Sequence, residues 1–137
     1  MIIDYNLQLS DAQSVTADAA STNVIDLGAD RDIGPGEDMK IVVSFDVAMG
    51  GSSPTLAVQV QTDDNSSFSS ASTVQTSRTI SAAAAGDTLV MGLPDQNERY
   101  IRLNYDVGGS NPTMTVSASI VKDAQQYYAY PDGANVQ

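Results

Sequence analysis

The chain contains no cysteine, no histidine and no tryptophan. Without cysteine it has no disulfide framework, no thiol nucleophile and no thiolate-ligated metal site. Without histidine it lacks the usual general base near neutral pH, the usual zinc ligand and any Ser-His-Asp triad. We therefore predict that the protein is not an enzyme, with no catalytic residues, no cofactor and no bound metal.

Basic residues are also scarce, because six Lys and Arg stand against seventeen Asp and Glu, for a net charge of −11. Such a surface is repelled by phosphate backbones and anionic lipid. No run approaches the roughly 20 apolar residues of a membrane-spanning helix, and the N-terminus lacks the pattern of a secretory signal. We expect no nucleic-acid partner, no membrane partner and no export through a signal peptide.

What the sequence does contain is apolar residues at every second position, the pattern of a strand with one buried face. It is clearest in residues 40–47, 55–62, 100–107 and 114–120. Shorter candidates are 23–27, 73–80 and 88–93, with a weak one near 13–16. The alanine-rich stretch 81–86 is too short for a stable helix and is predicted as a connection. We predict an all-β, jelly-roll-like antiparallel sandwich of about eight strands.

One loop occurs twice, since residues 45–56 read FDVAMGGSSPTL and residues 105–114 read YDVGGSNPTM. Gly-Gly allows positive φ, and Pro-Thr returns the chain to extended geometry. In a jelly roll the two loops would be neighbours at one end of the sandwich. The repeated loop sequence fits this arrangement, which favours a jelly roll over an immunoglobulin-like topology.

The chain divides into an N-terminal arm or extended segment (1–20), a β-sandwich (21–123) and a tyrosine-rich C-terminal tail (124–137). Tyrosine buries a large area with little conformational freedom to lose, so it is common at protein interfaces. The candidate partner contacts are Tyr127, Tyr128 and Tyr130 of the tail, with Tyr100 on a strand. The alternative for the tail is that it folds back and caps its own sandwich.

Two groups of acidic residues are candidate sites. The segment Asp63-Asp64-Asn65-Ser66-Ser67 offers oxygen ligands for calcium, but it lacks the spacing of an EF-hand, and a turn is the commoner role. Asp46 and Asp106 are predicted to point outward at corresponding positions. They do not form the converging pair that acid–base catalysis requires.

Several segments resemble the capsid cement proteins of tailed bacteriophages. They are 1–4 (MIID), 10–13 (SDAQ), 20–28 (ASTNVIDLG), 62–68 (TDDNSSF) and 99–105 (RYIRLNY). The resemblance implies a small jelly-roll protein that binds the outside of an icosahedral head and bridges neighbouring major-capsid subunits after the shell expands. It further implies a homo-oligomer, a dimer or a trimer, that is made in the host cytoplasm and located on the outer capsid surface of the virion. The alternatives are a carbohydrate-binding module and a tail-fibre or baseplate β-sandwich.

Overall fold

The computed structural model describes residues 3–29, 31–32, 38–122 and 124, which form an almost entirely β structure. A short 3-10 turn, Tyr5–Leu7, precedes the first strand. The strands are β1 (Gln8–Val15), β2 (Ala19–Ala20), β3 (Ile25–Asp26), β4 (Arg31–Asp32), β5 (Lys40–Asp63), β6 (Ser72–Thr76), β7 (Thr88–Gly92), β8 (Gln96–Asn97) and β9 (Tyr100–Val121).

The two long strands β5 and β9 pair antiparallel along their whole length, from Lys40 opposite Val121 to Asp63 opposite Tyr100. The first half of β5 and the second half of β9 are flanked by β7 and β1, giving the order β1-β9-β5-β7. The other halves are flanked by β6 on one side and by β2 and β3 on the other. Each layer is four strands wide, because β2 and β3 share one edge of the second layer. This order is that of the two sheets of a jelly roll, so the predicted fold class is confirmed.

One hydrophobic core joins the two layers. The first layer contributes Leu9, Val43 and Phe45, and the second contributes Val58 and Leu103, all essentially inaccessible to solvent. Each lies at the inward position of its alternating strand. Burying each such side chain stabilises the fold by roughly 1.5–3 kcal/mol. Because both layers contribute residues to this core, their burial holds the two layers face to face.

The repeated Gly-Gly loops lie side by side, as the sequence predicts. Ser52 of the first loop is opposite Ser110 of the second, and the ladder between β5 and β9 continues through both loops with register shifts. The alternation pattern predicted four separate strands here, but the two halves of β5 are continuous with each other, and so are the two halves of β9. Each is one strand that bends at the Gly-Gly loop and passes from one layer to the other.

Glycine is required at this bend because the two backbones touch. A Cβ on Gly51 would lie 2.5 Å from the carbonyl oxygen of Asn111, and one on Gly109 would lie 2.5 Å from that of Ser53. Both glycines have positive φ, 109° and 101°, and Ser53 and Asn111 share φ of 50°. The loops thus contact each other reciprocally, in a pseudo-twofold arrangement that matches their repeated sequence.

The N-terminal segment 1–20, predicted as an arm or extended segment, contains the extended strands β1 and β2, and both belong to the sandwich. β1 pairs with β9 and buries Leu9 and Val15 in the core. The weak candidate near 13–16 overlaps the end of β1. The rest of β1 was not predicted, because the sequence LSDAQS is polar and its Ser10 is buried against the hydroxyl of Tyr105 rather than exposed. β2, β4 and β8 were also missed, since two-residue strands leave no alternation to detect.

The shorter predictions hold in part. β3 and β6 lie within or beside the predicted segments 23–27 and 73–80, and β7 lies within 88–93. The stretch 81–86 is a connection, as predicted. The C-terminal tail lies outside the described residues apart from Ala124, which packs against Val42 and Val121. Among the described residues, no helix has the length and apolarity that crossing a membrane would require.

Candidate interaction surface

The second layer carries a row of polar side chains on the side facing away from the core. Ile101, Leu103 and Tyr105 point inward, so their neighbours on β9 point outward, and the same alternation holds on β5. We call this surface the amide face, defined by its half-buried residues Gln59, Gln61, Tyr100, Arg102 and Asn104.

Cross-strand hydrogen bonds order the amide face. Gln61 lies directly opposite Arg102, and its Oε1 accepts a hydrogen bond from Arg102 Nε at 2.9 Å. One step along, Gln59 Oε1 accepts from Asn104 Nδ2 at 3.2 Å. Directly opposed pairs of this kind are the unit of sheet stabilisation, so these side chains are held in place before any partner arrives.

The loop after β5 adds an aromatic ring to this surface. Phe68, itself buried, places its ring centroid 4.1 Å from the guanidinium carbon of Arg102. An arginine over an aromatic face is attracted by the ring quadrupole. Phe68 has φ of 52°, an uncommon value outside glycine, and its N–H donates to the carbonyl of Asn65 at 2.9 Å.

Asp63 holds this loop in shape. Its carboxylate accepts hydrogen bonds from the N–H of Asn65 at 2.9 Å and from the N–H of Ser70 at 2.8 Å. The Asn65 N–H, and then that of Ser70, lower the pKa of Asp63 from its ordinary value against the opposing effect of burial. The turn interpretation of Asp63-Asp64-Asn65-Ser66-Ser67 is thus confirmed. Within the described part of the chain, no three acidic residues are grouped to hold a metal.

Tyr100 lies at the end of the amide face, beside a second arginine. Arg99 donates from Nε and from one terminal nitrogen to the two carboxylate oxygens of Asp26, at 2.9 and 3.0 Å. Its guanidinium carbon is 4.9 Å from the Tyr100 ring centroid. The hydrogen bond from Arg99 lowers the pKa of Asp26, and Asp26 raises that of Arg99. Both side chains are nearly half exposed, so the pair contributes little to stability.

Of the four tyrosines proposed as contacts, the structure places only Tyr100, on the amide face. Tyr127, Tyr128 and Tyr130 lie outside the described residues. Asp46 and Asp106 are exposed, as predicted. The sequence indicated that Gln59, Gln61, Arg102 and Asn104 point outward, but it could not give the register that pairs them. Phe68 was missed altogether, because a lone aromatic residue in a loop carries no periodic signal.

A shallow cavity of about 390 Å³ lies beside the connection from β6 to β7. Its lining includes Arg78, Ile80, Ala83 and Asp87. The Asp87 carboxylate already accepts the N–H of Ala84 at 2.8 Å, so it serves the local turn. The cavity has no exposed aromatic platform of the kind that carries most sugar recognition.

No curated protein matches the chain. The Bbp16 family matches residues 9–120, a span that begins in β1 and ends within β9 and so includes both layers of the sandwich. On that match, the chain belongs to the Bbp16 family.

Proposed function

We propose that the protein is a virion structural protein that binds the outside of an icosahedral phage head and cements neighbouring major-capsid subunits. The observation that carries the proposal is the amide face, where cross-strand pairs hold polar and aromatic side chains in fixed positions. Ordering these side chains beforehand lowers the entropy lost on docking. Interfaces rich in Tyr and Arg and surrounded by polar groups are typical of protein partners.

The role proposed here is mechanical. A rigid sandwich docks on the shell, and a homo-oligomer, dimer or trimer, multiplies a modest contact through effective concentration. The outer capsid surface is the proposed location, reached after synthesis in the host cytoplasm. An absence of cysteine suits that reducing compartment.

The test is co-sedimentation of the purified protein with expanded phage heads that lack it, with unexpanded heads as the control. We expect saturable binding to expanded heads, followed by cryo-electron microscopy that places density over the junctions between capsid subunits. Absence of binding, or labelling of the tail rather than the head, would refute the proposal and favour a tail-fibre or baseplate module.

The tyrosine-rich tail is proposed as a second contact. The deletion that tests this contact begins at residue 125 and not at the predicted tail boundary, residue 124, because Ala124 is buried against Val42 and Val121. Deleting residues 125–137 should weaken retention on heads and leave the thermal unfolding midpoint of the sandwich nearly unchanged. Unchanged affinity for heads would remove the tail from the interface.

A carbohydrate-binding module is the alternative, since jelly rolls include lectin domains, but the cavity beside Arg78 and Asp87 has no exposed aromatic platform to support it. Binding of the isolated protein to defined glycans on an array would promote this alternative over the capsid role.

A further inference from the structure

We propose that Arg102 is an anchor that receives an Asp or Glu carboxylate of a protein partner, end-on, at the centre of the amide face. The inference deepens the proposed function, on which it rests for the identity of the partner as a capsid subunit. The chemistry of the anchor is argued from the side chain itself.

Two independent contacts fix the guanidinium of Arg102. Its guanidinium carbon lies over the Phe68 ring, 4.1 Å from the ring centroid, and Gln61 accepts a hydrogen bond from Nε at 2.9 Å. A free arginine loses considerable rotamer freedom when it binds, but here much of that freedom is already lost in the unbound protein. The side chain is also half-buried, which weakens the competition from water.

The remaining donors are the ones that suit a carboxylate. Arginine has five N–H groups, and Gln61 engages only the one on Nε. The two terminal nitrogens have no acceptor among the described side chains, and their parallel N–H bonds match the two oxygens of a carboxylate. A carboxylate can therefore bind end-on to the two terminal nitrogens, whereas the edge that contains Nε is already occupied by Gln61.

Arg99 provides the contrast three residues earlier. Its Nε and one terminal nitrogen are taken by both oxygens of Asp26. The same strand end thus carries one arginine paired with a carboxylate and one that, among the described residues, has none. In a chain of net charge −11, an arginine that is held in place but faces no carboxylate of the described residues is best explained by a carboxylate that a partner protein supplies.

The surroundings define the partner further. Tyr100 and Asn104 flank Arg102 on the same face of β9, and they offer a ring and an amide to the atoms around the carboxylate. The protein's net negative charge repels a uniformly acidic surface. The partner is therefore an isolated carboxylate on an otherwise neutral or basic protein surface.

The first test needs no phage component. The four arginines give four Nε–H signals in nitrogen-15 NMR spectra, from Arg31, Arg78, Arg99 and Arg102. The probe is a blocked Gly-Glu-Gly peptide, and the matched Gly-Gln-Gly peptide is its control. We expect the Arg102 signal to shift most with the Glu peptide and little with the Gln peptide. Equal shifts at Arg78, which is exposed, or equal effects of the two peptides, would overturn the inference.

The second test uses expanded heads and three variants. Arg102→Gln and Arg102→Lys should each weaken binding about tenfold, because lysine keeps the charge but loses the fork. Arg78→Gln removes the same charge from an exposed site and should stay within about twofold. Thermal unfolding of each variant shows whether the sandwich remains folded.

The outcomes separate the two proposals. Wild-type protein that fails to bind heads refutes the capsid role, and the peptide titration then decides the carboxylate anchor alone. Wild-type binding with Arg102→Gln no weaker than Arg78→Gln refutes the anchor and leaves the capsid role standing.

Discussion

Tyr105 is the largest fully buried side chain of the described chain, and it brings a hydroxyl into the core. That hydroxyl lies 2.7 Å from Ser10 Oγ, which in turn lies 2.7 Å from Gln13 Oε1. Because Gln13 Oε1 can only accept, Ser10 uses its single hydrogen there, and Tyr105 donates to Ser10. The short network ties β1 of one layer to β9 in the other.

Removing the donor and removing the acceptor of the Tyr105–Ser10 hydrogen bond should lower the free energy of unfolding by different amounts. Tyr105→Phe leaves Ser10 still bonded to Gln13 and should lower the free energy of unfolding by about 1 kcal/mol. Ser10→Ala leaves the buried Tyr105 hydroxyl without an acceptor and should cost more, about 2 kcal/mol. Urea denaturation of both variants measures the difference, and the reverse order would contradict the assigned direction of donation.

The same hydroxyl should make stability sensitive to alkaline pH. Burial raises the pKa of Tyr105 from 10.0 to about 12, so the unfolded chain releases the proton at lower pH than the folded one. This contribution is complete below about pH 10 and is lost as pH rises towards 12, by about 1 kcal/mol between pH 9 and pH 11. Urea denaturation at those two pH values should show this extra fall in wild type and not in Tyr105→Phe. Equal slopes would place the hydroxyl in contact with solvent.

The bend in β5 and β9 is the element that makes one ribbon serve both layers. Gly51 combines positive φ with a backbone neighbour where Cβ would be, whereas Gly86 has positive φ of 91° and open space around it. Gly92 has open space without positive φ. A side chain would therefore meet both backbone strain and steric contact at Gly51, strain alone at Gly86, and neither at Gly92.

Alanine at these positions should form a graded series. Gly92→Ala should be nearly neutral, Gly86→Ala should cost about 1 kcal/mol through strain, and Gly51→Ala should cost about 3 kcal/mol or more because strain and contact add. Thermal or urea unfolding gives the ranking. Gly51→Ala as stable as Gly86→Ala would mean that the two loops separate readily.

The loop after β5 should depend on the charge of Asp63. Asparagine there keeps one acceptor but turns an amide donor towards the N–H groups that Asp63 now receives, so Asp63→Asn should lower the thermal midpoint at neutral pH. Because the folded pKa of Asp63 is lowered, wild type loses this advantage as the pH falls below the ordinary range of aspartate. The gap between wild type and variant should therefore close in acid. Asp106→Asn, at an exposed carboxylate, is the control and should show no gap.

At the scale of the whole molecule, the excess of negative charge opposes compaction. Raising the salt concentration from about 0.01 M to about 0.15 M shortens the Debye length from about 30 Å to about 8 Å. Screening should relieve self-repulsion more than it weakens the exposed Asp26–Arg99 pair, so the thermal midpoint should rise with salt. A midpoint that falls instead would mean that local ion pairs dominate.

The fold could be predicted because alternating apolar residues reveal strands directly. The site could not, because it depends on which residues lie opposite one another in the folded sheet. Alternation in 40–47 and 100–107 indicated both the strands and their buried faces. The repeat of Gly-Gly-Ser predicted that the two loops meet. Nothing local indicated that Arg102 would pair with Gln61 or lie over Phe68, because those contacts depend on register and on a loop held by Asp63.

The reciprocal pairing of β5 with β9 also constrains how the chain acquires its structure during synthesis. Asp63 and Tyr100 are the partners nearest in sequence, and Lys40 and Val121 are the most distant, so closure entropy favours pairing that starts at the former end and proceeds to the latter. Until β9 has been synthesised, β5 can pair with β6 and β7 only, and its other edge has no partner strand. The nascent chain is then most exposed to misassociation, and the sandwich is expected to close only once β9 has left the ribosome.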